Sequence, residues 1–228
     1  MKTSNYITIS FFVFLFGGVF VLFLSAKIHQ RDNNGGLWIS EEKKLEPFSV
    51  VVAEPGANFH IRIAEYPRMR THYQMPDTCH FPQFSIRNDS LFIFSDLGIE
   101  KPRNYPDVIY VKDLKSIVAK DKSYMSLQEF TADTLSIKLN NASLDAFFDK
   151  TKNTTELFSI QAVGSKINLA GINAGNLDVQ LNGTELNSWN NSIVSLYGTL
   201  TNHSNLSILK SGKINLEADS TSTYTIQK

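Results

Sequence analysis

The 228-residue chain contains a single cysteine, Cys79, which excludes an internal disulfide framework and any metal site built from several thiolates. Glycine (12) and proline (7) are also scarce, so most turns must come from Asn, Asp, Ser and Thr, whose short polar side chains suit tight corners. No sign of charge dominates, since 22 Lys and Arg balance 22 Asp and Glu. The first 31 residues hold Lys2, Lys27 and Arg31 and no acid, which leaves 19 basic against 22 acidic residues in the rest. A mildly acidic body lacks the dense cationic face that neutralises phosphates, so nucleic acid is excluded as a partner. After Ala26 no stretch sustains a 3.6-residue apolar period over three turns, which dismisses a helical bundle. There is no Gly-rich phosphate loop and no Ser elbow, so nucleotide and acyl-transfer chemistry have no residues to act through.

What is present begins with 21 uncharged residues at positions 6–26, YITISFFVFLFGGVFVLFLSA. A helix of that length spans about 30 Å and predicts a single membrane crossing. A cleaved signal peptide is the alternative, with Lys2 as its basic start and Leu24-Ser25-Ala26 as its processing site, giving a secreted body. The run exceeds the roughly 7–15 apolar residues of a signal peptide, and Leu24 stands where a small residue belongs, so an uncleaved anchor is the favoured reading. Basic residues flank both sides of the run, and charge leaves its orientation open. Asp32-Asn33-Asn34-Gly35-Gly36 reads as a flexible spacer, extended by Glu41-Glu42-Lys43-Lys44. The predicted organisation is an anchor with its flanks over 1–31, a spacer over 32–44 and a folded body over 45–228.

The body is patterned for strands. Phe48, Val50 and Val52, then Phe59, Ile61 and Ile63 beyond Pro55-Gly56, alternate as in a hairpin. Pro67, Pro76 and Pro82 mark a long loop or irregular edge between Ala64 and Gln83. Phe84–Phe94 returns to strand around a turn at Asn88-Asp89-Ser90, and Val108–Val118 holds two short apolar runs. Beyond Thr131 the chain resembles itself. Leu135-Ser-Ile137-Lys-Leu139, Phe158-Ser-Ile160-Gln-Ala162 and Leu177-Asp-Val179-Gln-Leu181 align, each followed by a small-residue turn. Second apolar positions follow at Leu144, Ile167 and Leu186, and the same register reaches Phe147, Ala170 and Trp189. Val194-Leu196, Leu206-Ile208 and Ile214-Leu216 continue the theme less regularly. Repeats of 19–23 residues with short strands predict an all-β body folded as a β-helix, in which equivalent residues stack in columns because no coil buries its apolar face alone. An antiparallel β-sandwich with hairpins of similar length is the alternative fold.

Several of these segments resemble a known family. Leu45-Glu46-Pro47-Phe48-Ser49-Val50-Val51-Val52 with Phe59-His60-Ile61 is similar to the first hairpin of the auto-transporter adhesin or head GIN domain family, found in bacterial envelope proteins, especially of Bacteroidetes. Ser85–Ile93 resembles its next strand pair, and Val108–Ile117 running into Leu135–Leu144 resembles its strand, turn and first repeat. The likeness covers about residues 45–216. It departs in using Asn140-Asn141 and Lys120-Asp121-Lys122 where the family has more glycine in its turns. The resemblance implies a β-solenoid envelope domain of uncharacterised function, and it carries over no catalytic residue.

Candidate chemistry is sparse. Asp133, Asp145, Asp149 and Asp178 invite comparison with β-helix polysaccharide enzymes, but Asp145 and Asp178 fall in different columns of the alignment, so they are expected to be solvated carboxylates. His72, Cys79 and His80 share one Pro-rich loop, yet their spacing matches no zinc signature. Triplets at Asn88, Asn141, Asn153, Asn182, Asn190, Asn202 and Asn205 match the N-glycosylation acceptor, which has meaning only in a secreted eukaryotic chain. Phe147, Phe148, Trp189 and Tyr197 would stack on sugar rings if exposed. Adjacent Phe147 and Phe148 cannot both point inward from a strand, so one of them is expected on a contact surface, whereas core packing is the default for Trp189. The expected protein is therefore a non-enzymatic, cofactor-free domain of the cell envelope. Its body is exported on a single membrane anchor and binds a glycan or an envelope protein, in an oligomeric state the sequence leaves open. A carbohydrate-active enzyme and a self-assembling scaffold on the same fold are the alternatives.

Overall fold

The computed structural model describes residues 12–23, 25, 38–74, 79–95, 106–130, 132–148 and 155–226. The chain divides into two compact units, residues 1–39 with 73–78 and residues 40–72 with 79–228. In the first, residues 12–23 are helical, and the rings of Phe12 and Phe16, one turn apart, stack with centroids 6.2 Å apart. No helix among the described residues is long and apolar enough to cross a membrane. The crossing expected over 6–26 lies partly outside the described residues.

Among the described residues all other regular structure is strand. In chain order these are β1 (Trp38–Lys44), β2 (Val50–Ala53), β3 (Asn58–Ile63), β4 (Arg68–Gln74), β5 (Phe84–Arg87), β6 (Ser90–Ile93) and β7 (Asp107–Val111). A regular series follows: β8 (Ser116–Lys120), β9 (Tyr124–Phe130), β10 (Thr134–Asn140), β11 (Ser143–Phe148), β12 (Thr155–Val163) and β13 (Lys166–Ala170). It ends with β14 (Asn173–Asn182), β15 (Glu185–Trp189), β16 (Ser192–Thr201), β17 (Asn205–Ile208), β18 (Ser211–Ala218) and β19 (Thr223–Ile226). They make two sheets, the first in the order β1-β4-β7-β3-β9-β11-β13-β15-β17-β19 and the second β18-β16-β14-β12-β10-β8-β2-β6-β5. From β8 onward the chain alternates between the sheets, and each strand pairs in parallel with the strand two ahead, as a solenoid does. Parallel pairing throughout this series replaces the antiparallel sandwich.

The columns are those the sequence rows imply. Leu139 pairs with Ala162 and Ala162 with Leu181, while Leu144, Ile167 and Leu186 follow one another in the first sheet. The stacking also runs beyond the three legible rows, with Ile117 beside Ile137 on one side and Leu181 beside Leu200 on the other. These inward positions are buried. Phe130, Phe148 and Phe158 add an edge-to-face trio inside, with centroids 6.0 and 5.8 Å apart, a geometry that suits the ring quadrupoles.

Corners are closed by polar atoms. Asn88, Asp89, Lys122, Asn141, Asn190, Asn202 and His203 take positive φ beside Gly56, Gly164, Gly171 and Gly183, so Asn supplies as many left-handed corners as glycine does. Beside them runs a hydroxyl ladder. The backbone N–H of Ala142 donates to Ser165 Oγ, that of Ser165 to Thr184 Oγ1, that of Thr184 to Ser204 Oγ and that of Ser204 to Ser222 Oγ, all at 3.1–3.2 Å. Ser165, Thr184 and Ser204 also donate their hydroxyls to the backbone carbonyls of Val163, Asn182 and Thr201. Each buried hydroxyl thus satisfies a backbone group of its own coil and one of the coil before it, which unpaired would be costly. On the opposite corner the Asn191 amide bridges to the following coil alone, accepting from Leu209 N–H and donating to Lys210 O.

Three sequence expectations are corrected. Pro55-Gly56 does not join a hairpin, because β2 and β3 lie in different sheets and the turn is a coil corner whose Gly56 N–H bonds Asp121 O. The β2/β3 coil is moreover inserted between β6/β7 and β8/β9, so stacking order departs from chain order. Glu41-Glu42-Lys43-Lys44 is not spacer but part of β1, and Glu42 bonds Arg68 and Arg70 of β4. Within the segment expected to be a long loop or an irregular edge between Ala64 and Gln83, β4 forms and pairs antiparallel with β7; the strands expected around Asn88-Asp89-Ser90 are present, β5 pairing antiparallel with β6 through that turn.

Candidate contact face

The outward side chains of the first sheet fall into rows, because alternation along each strand and parallel register together fix which neighbours meet. One row runs Tyr110, Arg62, Gln128, Phe147, Ala170, Trp189. Phe147 and Trp189 are each 45% exposed, and half-buried Ala170 separates them. Phe148, the next residue along β11, turns inward to the aromatic trio and is buried. It is therefore removed from the surface on which the sequence reading had placed it as an alternative to Phe147. Trp189, with core packing as its default and the contact surface as its alternative, is on that surface, because the chain leaves β15 for the Asn190-Asn191 corner there and the inward position is taken by Ser188.

Toward the β4 end the row becomes cationic and amide-bearing. Arg62 Nε donates to Gln128 Oε1 at 3.0 Å, and the Gln128 amide lies 3.4 Å from His60 Nδ1. Burial, and then the charge of Arg62, hold the His60 pKa below its ordinary value, which favours the neutral ring. Arg68 lies 4.0 Å from the Tyr110 ring and 4.7 Å from that of Tyr66, with Arg70 5.1 Å from Tyr110. Glu42 pairs with both arginines, and the hydrogen bond from Arg70 is the main reason its carboxyl sits below the usual range.

The adjacent row is polar and internally satisfied. Asp145 accepts from Tyr124 Oη at 2.7 Å and from Asn168 Nδ2 at 2.7 Å. Burial first, and then this carboxylate, push the Tyr124 phenol up to about 12. Asp178 is on β14 in the second sheet and Asp133 sits exposed before β10, so neither approaches Asp145 along a row. Asp149 and Asn153 lie outside the described residues. Of the loop residues, Cys79 is half-buried, while Thr71 donates to the backbone of His80 and to the buried Asp107 carboxylate. No group of three or more His, Cys, Asp or Glu among the described residues is placed to hold a metal ion. Tyr197 is also exposed, but on β16 of the second sheet, away from the Phe147 row.

The chain matches no family model and no curated protein. Among solved structures it is similar to a "putative adhesin" of Bacteroides fragilis NCTC 9343, at 14% identity and a TM-score of 0.53 over 84% of this chain and 96% of that one. It is likewise similar to a "putative adhesin" of Parabacteroides distasonis ATCC 8503, at 13% identity and a TM-score of 0.52 over 85% and 94%. At such identities the likeness is one of fold: a β-solenoid body of the kind found in adhesin-like proteins.

Proposed function

We propose that this protein is a non-enzymatic binding domain of the bacterial cell envelope, anchored by residues 6–26 with its body exported, and that it engages a glycan or an envelope protein through the outer face of its first sheet. The observation that carries this reading is the exposed Phe147 and Trp189 in one row, with small Ala170 between them. At about 4.7–4.9 Å per stacked strand the two rings stand roughly 10 Å apart, leaving a shallow notch over Ala170. Large rings left in water on a rigid sheet are suited to stacking on an apolar face of a ligand, and the nearby Arg62 and Gln128 add hydrogen-bond donors of the kind hydroxylated ligands need. The likeness in fold to adhesin-like proteins agrees with a binding role. The membrane anchor rests on the uncharged run itself, which is apolar on every side of a helix, the pattern of a membrane span or of a fully buried helix.

Spheroplasts carrying the full chain, offered labelled envelope polysaccharide or envelope protein extract, provide the test. Binding should occur on the outer surface, disappear after external protease, and fall about tenfold or more in the F147A/W189A double variant, as expected for two anchoring aromatics. Binding that survives both substitutions would reject the contact face, and a body shielded from external protease would reject the topology.

A further inference from the structure

The two ends of the stacked body differ. At one end antiparallel strands close the sheets, with β4 on β7 and β5 on β6, and residues such as Ile109 and Leu91 beneath them are fully buried. At the other end β18 and β19 are the terminal strands of their sheets. Ile214 and Tyr224 stand in register with Leu196 and Leu206, which are fully buried, yet they are 45% and 49% exposed. Leu216 and Ile226, in register with Gly198 and Ile208, are only half-buried. Among the described residues this end therefore offers strand edges without a partner strand, together with inward-column side chains still in contact with water, a combination that templates strand addition.

The sequence of β18 identifies the occupant. It reads Ser211-Gly-Lys213-Ile214-Asn215-Leu216-Glu217-Ala218, and around Asn215 it is self-complementary. If a second β18 runs antiparallel beside it with the pair centred on Asn215, Lys213 stands opposite Glu217 of the other copy and Ile214 opposite its Leu216. Facing is preserved, because Asn215 and Glu217 stack on the exposed Tyr197 and Thr199, and Lys213, exposed although its neighbour Ser195 is buried, lies on the same side by alternation, while Ile214 and Leu216 continue inward columns. Neither Lys213 nor Glu217 has an ion pair among the described residues, whereas Asp219, the next acid along, already accepts from the backbone N–H of Asn202 and of Thr221. We infer that this end of the solenoid is a homodimer interface, in which antiparallel β18 strands of two copies join end to end, registered by reciprocal Lys213–Glu217 pairs. The arrangement is isologous and closed, so it stops at two copies. It is independent of the contact face and of the membrane anchor.

Sedimentation velocity of the full chain in density-matched detergent tests this, using charge reversal at two exposed positions. The parent should be a dimer. Because each single reversal converts two attractive pairs per interface into two repulsive ones, K213E and E217K should each weaken dimerisation by about tenfold or more, and the double swap K213E/E217K should restore it. Circular dichroism spectra that superimpose for all four proteins would show that the fold is untouched. A monomeric parent, a dimer indifferent to either single reversal, or a double swap no better than the singles would overturn the inference. A dimer held by the apolar N-terminal run would give the second of these results.

Discussion

At the scale of single residues, the hydroxyls at the corners matter more than their polarity suggests. Thr184 is almost fully buried, accepts from the Ser165 N–H and donates to Asn182 O. Thr184→Val keeps the shape and adds apolar surface, but it leaves the Ser165 N–H without its acceptor. It should lower stability by about 1–3 kcal/mol in urea unfolding, the usual cost of a buried unsatisfied group, while Thr199→Val on the exposed face should stay within about 0.5 kcal/mol. The chain contains an internal precedent: where Ala142 offers no hydroxyl, the Ser123 N–H turns back to Lys120 O instead. The corner role of Asn was legible from the shortage of glycine. The ladder of Ser165, Thr184 and Ser204 was not, because Ser and Thr in a turn look alike whether their hydroxyls face water or the next coil.

At the scale of strands, three repeats were legible because Leu135, Phe158 and Leu177 open rows with uninterrupted apolar alternation. The next row is obscured at Gly198, which stands in the column of Val179. Its φ is 144°, and a Cβ built there would lie 1.8 Å from Val179 O, so the backbone occupies the space a side chain holds in other coils. Gly198→Ala should therefore cost about 2–4 kcal/mol, combining backbone strain with overpacking, and chemical denaturation of the purified variant measures it. A second break comes at Ser188, which takes an inward position between Leu169 and Ile208. Alternation likewise showed that Phe147 and Phe148 must face opposite ways, but not which one faces in. That choice follows from the room beside Phe130 and Phe158.

For the folded body as a whole, stability is collective, since each coil covers the apolar columns of its neighbours and few contacts are local. The β2/β3 coil shows the limit of reading such a body from its sequence. Val51 has Leu91 on one side and Ile117 on the other, and nothing in the local pattern of β2 distinguishes that insertion from a hairpin. The outer face, by contrast, follows from register: once Leu139, Ala162 and Leu181 share a column, Phe147, Ala170 and Trp189 must share a row. Fold and contact face both depend on this register, and thermal melts of two neighbouring variants probe it. Leu181 is buried within its column and Gln180 is exposed beside Gln161. Leu181→Asp must bury an unpaired charge at a cost comparable to the stability of a domain and should unfold or aggregate the body, whereas Gln180→Asp should melt with the parent to within about 0.5 kcal/mol. Equal tolerance of aspartate at the two positions would contradict the stacked columns, and with them the contact face built upon them.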